Sequence, residues 1–484
     1  MSKRKKILNS SRSPVCFLVD LGQGATYTAT MHKPDKSLPY SKLTQEQRDV
    51  ADAVKDGRNI LLTGPAGTGK SALLGYLGKT FPEMDLCATT GVAAINIGGT
   101  TIHSWAGLGL CKDPAALIAQ NLFHRRQTVQ RIRNAKMLAI DEVSMMDGNT
   151  LNTFNEVMQI VRGNKKPFGG IQVLFIGDFL QLPPIGRDNK EVQFAFESNA
   201  WKNADIQVCE LKKIIRQADG DFAELLSGIR KGDNSDATMR VLAARRTAED
   251  ETPHIVPVVL ATHNNIADRV NAVELAKIKG EEKVFKAKDW SVDTRTAQKI
   301  DKECLAPQEL KLKIGAQVML LCNLDMESGL ANGSLGTVVQ MGKGGDEGGP
   351  VVKFVNGETR TISPHTWNFK SAEMEIGERA QLPLRVAYAI SIHKSQGMTL
   401  DKIRVHLGDC FADGQAYVAL SRAKTLDGVF IESLRRDSIR ANKKAVEFYD
   451  LHTARQTPAS ALPGRGKALG EYEQFVQQEI GLKP

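Results

Sequence analysis

Two parallel-sheet α/β units with a small antiparallel β module set into the second make up the fold class that the chain predicts. Three observations lead there. Short apolar runs alternate with helical patterns over residues 41–205, and the same rhythm returns over 206–304 and 384–456. Between 305 and 383 the pattern changes to short β-like runs separated by glycine-rich turns such as GKGGDEGGP. A basic extension (1–40) and a tail (457–484) carry no convincing periodic element, apart from a short amphipathic stretch near the end.

The elements follow in order. Asn59–Leu62 reads as a buried strand, then a glycine-rich turn, then the helical Ser71–Phe81. Asp85–Thr90, Lys136–Ile140 and Ile171–Ile176 are further strands of the first unit. In the second, Val256–Ala261 precedes the helical His263–Lys279, and Arg385–Ile392 precedes a turn. Ile403–Leu407 leads into the helical Gly414–Lys424, and Gly428–Ile431 closes the unit. The module's runs are Ala316–Cys322, Ser334–Met341, Val351–Val355 and Thr359–Ile362.

Composition bounds the function. With 484 residues, 42% hydrophobic and 25% charged, the chain is of ordinary globular type. It lacks the ~18-residue apolar run of a membrane span. A formal charge of +9 permits a polyanionic partner without selecting one. Seven cysteines, none spaced as C-x-x-C, argue against a disulfide framework or a zinc site and for a reducing compartment. There is no secretory hydrophobic segment, so the expected location is intracellular, cytoplasmic or nuclear.

Gly64-Pro65-Ala66-Gly67-Thr68-Gly69-Lys70-Ser71 fits G-x-x-x-x-G-K-[ST] between a strand and a helix. Its backbone N–H groups would wrap phosphates, Lys70 would neutralise the β- and γ-phosphates, and Ser71 would hold Mg²⁺. Met137–Ile140 delivers Asp141 and Glu142 to a strand end, Asp141 for Mg²⁺ and Glu142 to polarise an attacking water. ATP hydrolysis, rather than transfer to a second substrate, is the chemistry expected of that pair. Gly177-Asp178-Phe179-Leu180-Gln181 follows a third strand and places an amide beside the same site.

With Leu43–Gln47 upstream, these segments resemble the Pif family of superfamily 1 DNA helicases over residues 40–435. The likeness continues through ATTGVAAINIGGTTIHSWAGLG, IIRQADGDFAELLSGIRKGD, AYAISIHKSQGMTLD and AYVALSRAKT, and PFGGIQ joined to GDFLQLPP is its most specific part. The resemblance implies two RecA-like domains, an SH3-like β-barrel module and a wedge insertion near 106–130. It also implies an ATP-driven motor moving 5′→3′ on single-stranded DNA and unwinding duplex or structured DNA, with roles in replication, repair, recombination or telomere maintenance. Gln47 would read adenine, Gln181 would sense the γ-phosphate, and Arg216 and Arg422 would be arginine fingers supplied by the second unit. Thr90, Gly91, His103 and Ser104 match the strand-contacting segments of the first unit; His393, Lys394, Ser395, Gln396, Gln415 and Tyr417 match those of the second. Expected partners are single-stranded and forked DNA, with G-quadruplexes and RNA–DNA hybrids as further substrates, a monomer on the DNA and no membrane.

Thr89 departs from the proline usual in the family, and the chain is shorter at both ends than larger members, so their accessory regions are not carried over. Trp105 has two readings, a base-stacking face or a core residue. Residues 124–136 hold five basic groups and no acid, and Arg435, Arg436, Arg440, Lys443 and Lys444 form a second cluster; both are expected to meet phosphates. Two other functions stand beside the helicase: an ATPase that remodels protein–DNA or RNA complexes without unwinding, and a nucleotide-gated clamp that has lost hydrolysis. Glu142 and the two arginines argue against the clamp.

Overall fold

The computed structural model describes residues 40–109, 111–184, 193–215, 219–248, 255–325, 328–342, 348–371 and 374–456. The N-terminal extension, the C-terminal tail and Arg216 lie outside the described residues.

The first unit is a six-stranded sheet of β1 (Ile60–Thr63), β2 (Met84–Ala88), β3 (Thr100–Thr101), β4 (Met137–Asp141), β5 (Gln172–Ile176) and β6 (Gln207–Glu210). All pairings are parallel, in the order β3-β2-β4-β5-β1-β6. Helices cover both faces, which is why β1 reads as an unbroken apolar run. On one face Leu73, Leu74 and Leu77 of the helix Lys70–Thr80 pack with Val50 and Val54 of the helix Gln45–Lys55. On the other, Phe154, Val157 and Met158 of the helix Gly148–Arg162 do the same.

The PFGG segment has a folding role. Phe168 (φ 52°) and Gly169 (φ 63°) take left-handed conformations, and the Phe168 N–H donates to Asn155 Oδ1 at 2.8 Å. That turn carries the fully buried Phe168 ring between Phe154 and Phe175, with centroids 5.9 and 5.8 Å away. A left-handed non-glycine costs about 1–2 kcal/mol. Burying a phenylalanine contributes roughly 1.5–3 kcal/mol, so the packing wins.

The second unit has a four-stranded parallel sheet in the order Ala389–Ser391, Val258–Ala261, Ile403–His406, Val429–Ser433. Its core includes Phe222, Leu226 and Ile229 of the helix Gly220–Arg230. The helix Lys443–Gln456, placed by sequence within this unit's span, packs into the first unit: Ala445, Phe448 and Tyr449 join the core that holds Phe179, Phe194 and Trp201.

Between the parallel strands lies an antiparallel region of three sheets. Five strands run in the order Thr359–Thr361, Val351–Phe354, Leu335–Gln340, Gln317–Leu320, Leu384–Val386. Glu309–Leu312 pairs with Lys283–Lys286, and the hairpin His365–Ser371/Met374–Gln381 pairs with Lys288–Ser291. Antiparallel pairing therefore reaches back to residue 283. The single apolar run Arg385–Ile392 is divided: its first part pairs with Gln317–Leu320 and its last part with Val258–Ala261. Among the described residues no helix is long and apolar enough to cross a membrane.

Candidate nucleotide and nucleic-acid site

The strand order β2-β4-β5-β1 sets four loops side by side at the carboxyl ends of the first sheet, where open parallel sheets bind ligands. In that order they carry Thr89–Gly91, Asp141–Glu142, Gly177–Gln181 and the P-loop.

The P-loop leaves β1 at Gly64, whose φ of 137° and position allow no side chain, since a Cβ would collide with the Leu211 carbonyl. Thr68 Oγ1 closes the turn on the Pro65 carbonyl at 3.0 Å. Lys70 Nζ donates to the carbonyls of Gly64 and Pro65 at 2.7 and 2.9 Å. Burial lowers the Lys70 pKa to about 8, against the pull of Asp178, Glu142 and Asp141. Ser71 is exposed at the start of the helix.

Gln47 lies on the far side of this loop. Its Oε1 accepts from the Thr44 N–H at 3.0 Å in a capping box, which fixes the amide plane. Its Nε2 is buried beside Gly69 and has no hydrogen-bond partner among the described residues. A buried unsatisfied donor costs roughly 1–3 kcal/mol. A purine ring acceptor over the P-loop would relieve that cost.

Asp141 and Glu142 are half-buried at the end of β4. Asp141 Oδ1 accepts from the Glu142 N–H at 2.9 Å. Burial raises both carboxyls; the charge of Asp141 adds to the rise at Glu142, while Lys70 opposes both and Arg422 opposes the second. Glu142 itself is left-handed (φ 55°, ψ 43°). Thr89 reaches across from β2: its N–H donates to the Asp141 carbonyl at 3.1 Å and its Oγ1 to the Glu142 carbonyl at 2.8 Å. Gln181 is 9% exposed, with Nε2 3.4 Å from Asp178 Oδ2.

The second unit meets the P-loop directly. Tyr417, expected to touch DNA, is buried, and its hydroxyl accepts from the Ala66 N–H at 2.9 Å. Gln415 is also buried instead of facing a strand; its Oε1 accepts from the N–H groups of Phe411 and Ala412. Tyr417 belongs to the seam between the units, while the short helix Gln415–Leu420, buried at every position, also packs in the second unit's core. Arg422 follows it, 2% exposed, donating to the carbonyls of Val418 and Ser395 and to Ser421 Oγ. Ile215, the neighbour of Arg216, donates its N–H to the Gly67 carbonyl at 2.8 Å.

The seam is fastened by Arg230, inside a quoted motif but with no role expected of it, and by Tyr449, outside the motifs. Arg230 donates from Nε and Nη2 to both oxygens of Asp178, each at 2.9 Å, and lies 3.4 Å from Glu210. The Tyr449 hydroxyl sits 2.6 Å from Thr63 Oγ1 and accepts from the Phe179 N–H at 3.1 Å.

Of the residues expected on DNA, Thr90 caps the helix Gly91–Asn96, accepting from the Ala93 N–H at 3.2 Å. His103 and Ser104 are half-buried on the helix Ile102–Ala106 at the same end of the sheet. His393, Lys394 and Gln396 are half-buried in the turn after Ala389–Ser391. Burial lowers the pKa of His393, helped by His263, and that of Lys394, helped by Arg385. Ser395 is buried, its Oγ donating to the Ile392 carbonyl. The antiparallel region reaches this face: Glu303 lies against Gly91, where a Cβ would strike its carboxyl, and Ile95 packs on the cluster of Ile300, Trp367 and Phe369.

Of the two readings of Trp105 the structure selects the core residue, 2% exposed, its Nε1 donating to Asp85 Oδ2 at 3.1 Å. Two expectations about basic segments change. In the 124–136 segment Arg131 and Arg133 donate to the carbonyls of Trp105 and Val161, so part of that charge braces the helix Arg126–Asn134. Arg435, Arg436, Arg440 and Lys444 pair with Asp437, Asp236, Asp413 and Glu197, which neutralises most of the second cluster.

Two family descriptions match the chain: "PIF1-like helicase" over residues 42–240 and "DNA helicase Pif1, 2B domain" over 297–341. The ATP-dependent DNA helicase PIF1 of Homo sapiens is 41% identical over 85% of this chain, and that of Xenopus laevis 40% over 86%. The chain spans 64% and 66% of those relatives' lengths. The Pif1 helicase of Candida albicans superposes with a TM-score of 0.69 at 36% identity, over 84% of this chain and 99% of that one. The chain belongs to the PIF1-like helicase family.

Within the family, Bacteroides sp Pif1 superposes with TM-scores of 0.73 unliganded and 0.74 with ADP-AlF4 (each at 29% identity, over 86% of this chain and 98% of that one), and less well when Pif1 from Bacteroides carries ADP-AlF3 and ssDNA. The latter gives 0.59 at the same identity and coverage. Tyr417, Arg230 and Tyr449 act at the seam, and what marks them is a buried polar tip inside an otherwise apolar pattern, visible only once the partner elements are in place.

Proposed function

We propose that this PIF1-like helicase hydrolyses ATP to move 5′→3′ along single-stranded DNA and to separate duplex DNA ahead of it. The observation that carries the reading is the convergence at the P-loop: Gln47's unpaired amide on one side and Tyr417 of the second unit on the other, with the charge of Arg422 acting on Glu142 nearby. A nucleotide between two units can drive one against the other; a nucleotide held by one unit alone cannot. The similarity to ATP-dependent DNA helicases, and to a Pif1 solved in complex with ssDNA, supports the same reading.

In this mechanism Lys70 leaves the Gly64 and Pro65 carbonyls for the phosphates, and Gln47 and the P-loop amides orient the nucleotide. Glu142, its pKa raised toward neutrality, takes the proton of the attacking water, and Gln181 senses the γ-phosphate. Arg422, and Arg216 with it, stabilises charge that develops at the γ-phosphate. Mg²⁺ fits the donor set: Ser71 and Asp141 offer hard oxygen ligands at the same end of the first sheet, with the Gly177–Gln181 loop between theirs. When bound, the ion supplies positive charge to the β- and γ-phosphates. The five-stranded antiparallel sheet is assigned as the SH3-like module, and residues 106–130 as the wedge.

The test is ATP-driven strand separation on duplexes with a 5′ or a 3′ single-stranded tail, with G-quadruplex and RNA–DNA versions alongside. The chain separates the 5′-tailed duplex, and Lys70→Ala abolishes this. DNA-stimulated ATP turnover without strand displacement would favour the remodelling activity instead.

A further inference from the structure

We propose that Thr89 is the positioning residue through which a DNA strand on Thr90 and Gly91 sets the orientation of Glu142, and with it the rate of ATP hydrolysis. The inference rests on the function proposed above and names the link between its two sites. Ala88 and Asp141 are paired partners of β2 and β4, and the Thr89 N–H extends that ladder by one step, to the Asp141 carbonyl. The Thr89 hydroxyl goes one residue further, beyond the end of the strands, to the Glu142 carbonyl. Glu142 needs such support, because a left-handed non-glycine is disfavoured by about 1–2 kcal/mol. A net hydrogen bond contributes about 0.5–1.5 kcal/mol, a similar amount, so the hydroxyl weighs in whether that conformation holds. The remaining restraints on the Glu142 peptide groups are local, from Asp141 Oδ1 and the Met145 N–H. Thr89 is thus the contact that comes from another strand, and its next neighbour, Thr90, begins the segment expected to hold DNA.

Valine has the shape of threonine and cannot donate from its side chain. In Thr89→Val the ratio of DNA-stimulated to DNA-free kcat is expected to fall about fivefold to tenfold, the range that a lost hydrogen bond of about 1–1.4 kcal/mol gives. The KM for ATP and the Kd for single-stranded DNA stay within about twofold, because neither ligand touches the lost hydroxyl. Thr89→Ser, which keeps the donor, retains the ratio, and Thr89→Ala behaves as valine does should the valine variant not fold. The inference is overturned by an unchanged ratio in the valine or alanine variant, by a loss falling equally on both rates, or by a serine variant that loses the ratio. A wild-type chain whose hydrolysis DNA does not stimulate overturns the proposed function itself, and this inference with it.

Discussion

Arg230 and Arg422 are both almost wholly buried, at 4% and 2% exposure, and both belong to the second unit, yet their surroundings differ in kind. Arg230 holds a carboxylate with two parallel hydrogen bonds, and that carboxylate comes from the other unit. Burial opposes both charges, but the pairing outweighs it: Asp178 is held below the ordinary carboxylate range and Arg230 above its own. Among the described contacts Arg422 rests on carbonyl and hydroxyl oxygens of its own unit, while its charge faces Glu142. A charge already matched by an opposite charge has little left to offer a substrate. Arg422 instead lies within electrostatic reach of Glu142, where the proposed reaction develops negative charge. The first arginine is therefore a fastener, and the second is proposed to act on the γ-phosphate.

That contrast can be broken in three ways. Arg422→Lys keeps a positive charge but loses the fork of donors; turnover of ATP with DNA present should fall about a thousandfold, with a smaller change in KM. Steady-state hydrolysis measures this, and near-normal turnover would make Arg422 as structural as Arg230. Asp178→Asn leaves buried Arg230 with only the longer Glu210 contact for its charge and should destabilise the chain by about 3 kcal/mol, read as a lower denaturant midpoint. The sign with pH follows from the depressed carboxyl. Its contribution is complete above the unfolded value of about 4 and is lost as pH falls through the lower folded value, so the asparagine variant should lack that part of the acid-side slope. A midpoint within error of wild type would remove the fastener. Smallest is Glu303→Gln. Glu303 lies against Gly91, on the expected DNA track, and removing its charge should strengthen single-strand binding by about two- to fivefold at low salt, with the gain shrinking as salt rises. Fluorescence anisotropy at two ionic strengths decides it, and unchanged affinity separates Glu303 from the strand path.

The same contrast explains what could be read from the sequence. The P-loop, Asp141–Glu142 and Gly177–Gln181 are legible because each is a local solution: a strand end, a tight turn and side chains within a few residues of one another. The parallel strands are legible for a similar reason, being buried runs on both faces. Seam residues are not local. Tyr417 meets Ala66 across 351 positions, and Tyr449 meets Thr63 across 386, so no window of sequence contains both partners. The strands Lys283–Lys286 and Lys288–Ser291 escaped because they are short, lysine-rich and largely exposed, with little apolar alternation to mark them. The run Arg385–Ile392 misled in the opposite sense. It is continuous in hydrophobicity, but its ends enter different sheets, a distinction set by neighbours and not by the run itself.

The helix Lys443–Gln456 has a mechanical consequence. The chain leaves the first unit after β6, builds the second, and then returns to anchor Phe448 and Tyr449 in the first unit's aromatic core. Two covalent crossings join the halves, in the manner of a door hung on a pair of hinges. A single tether would tie one half to the other at one point only; with two, any motion that the proposed function calls for has to respect both crossings.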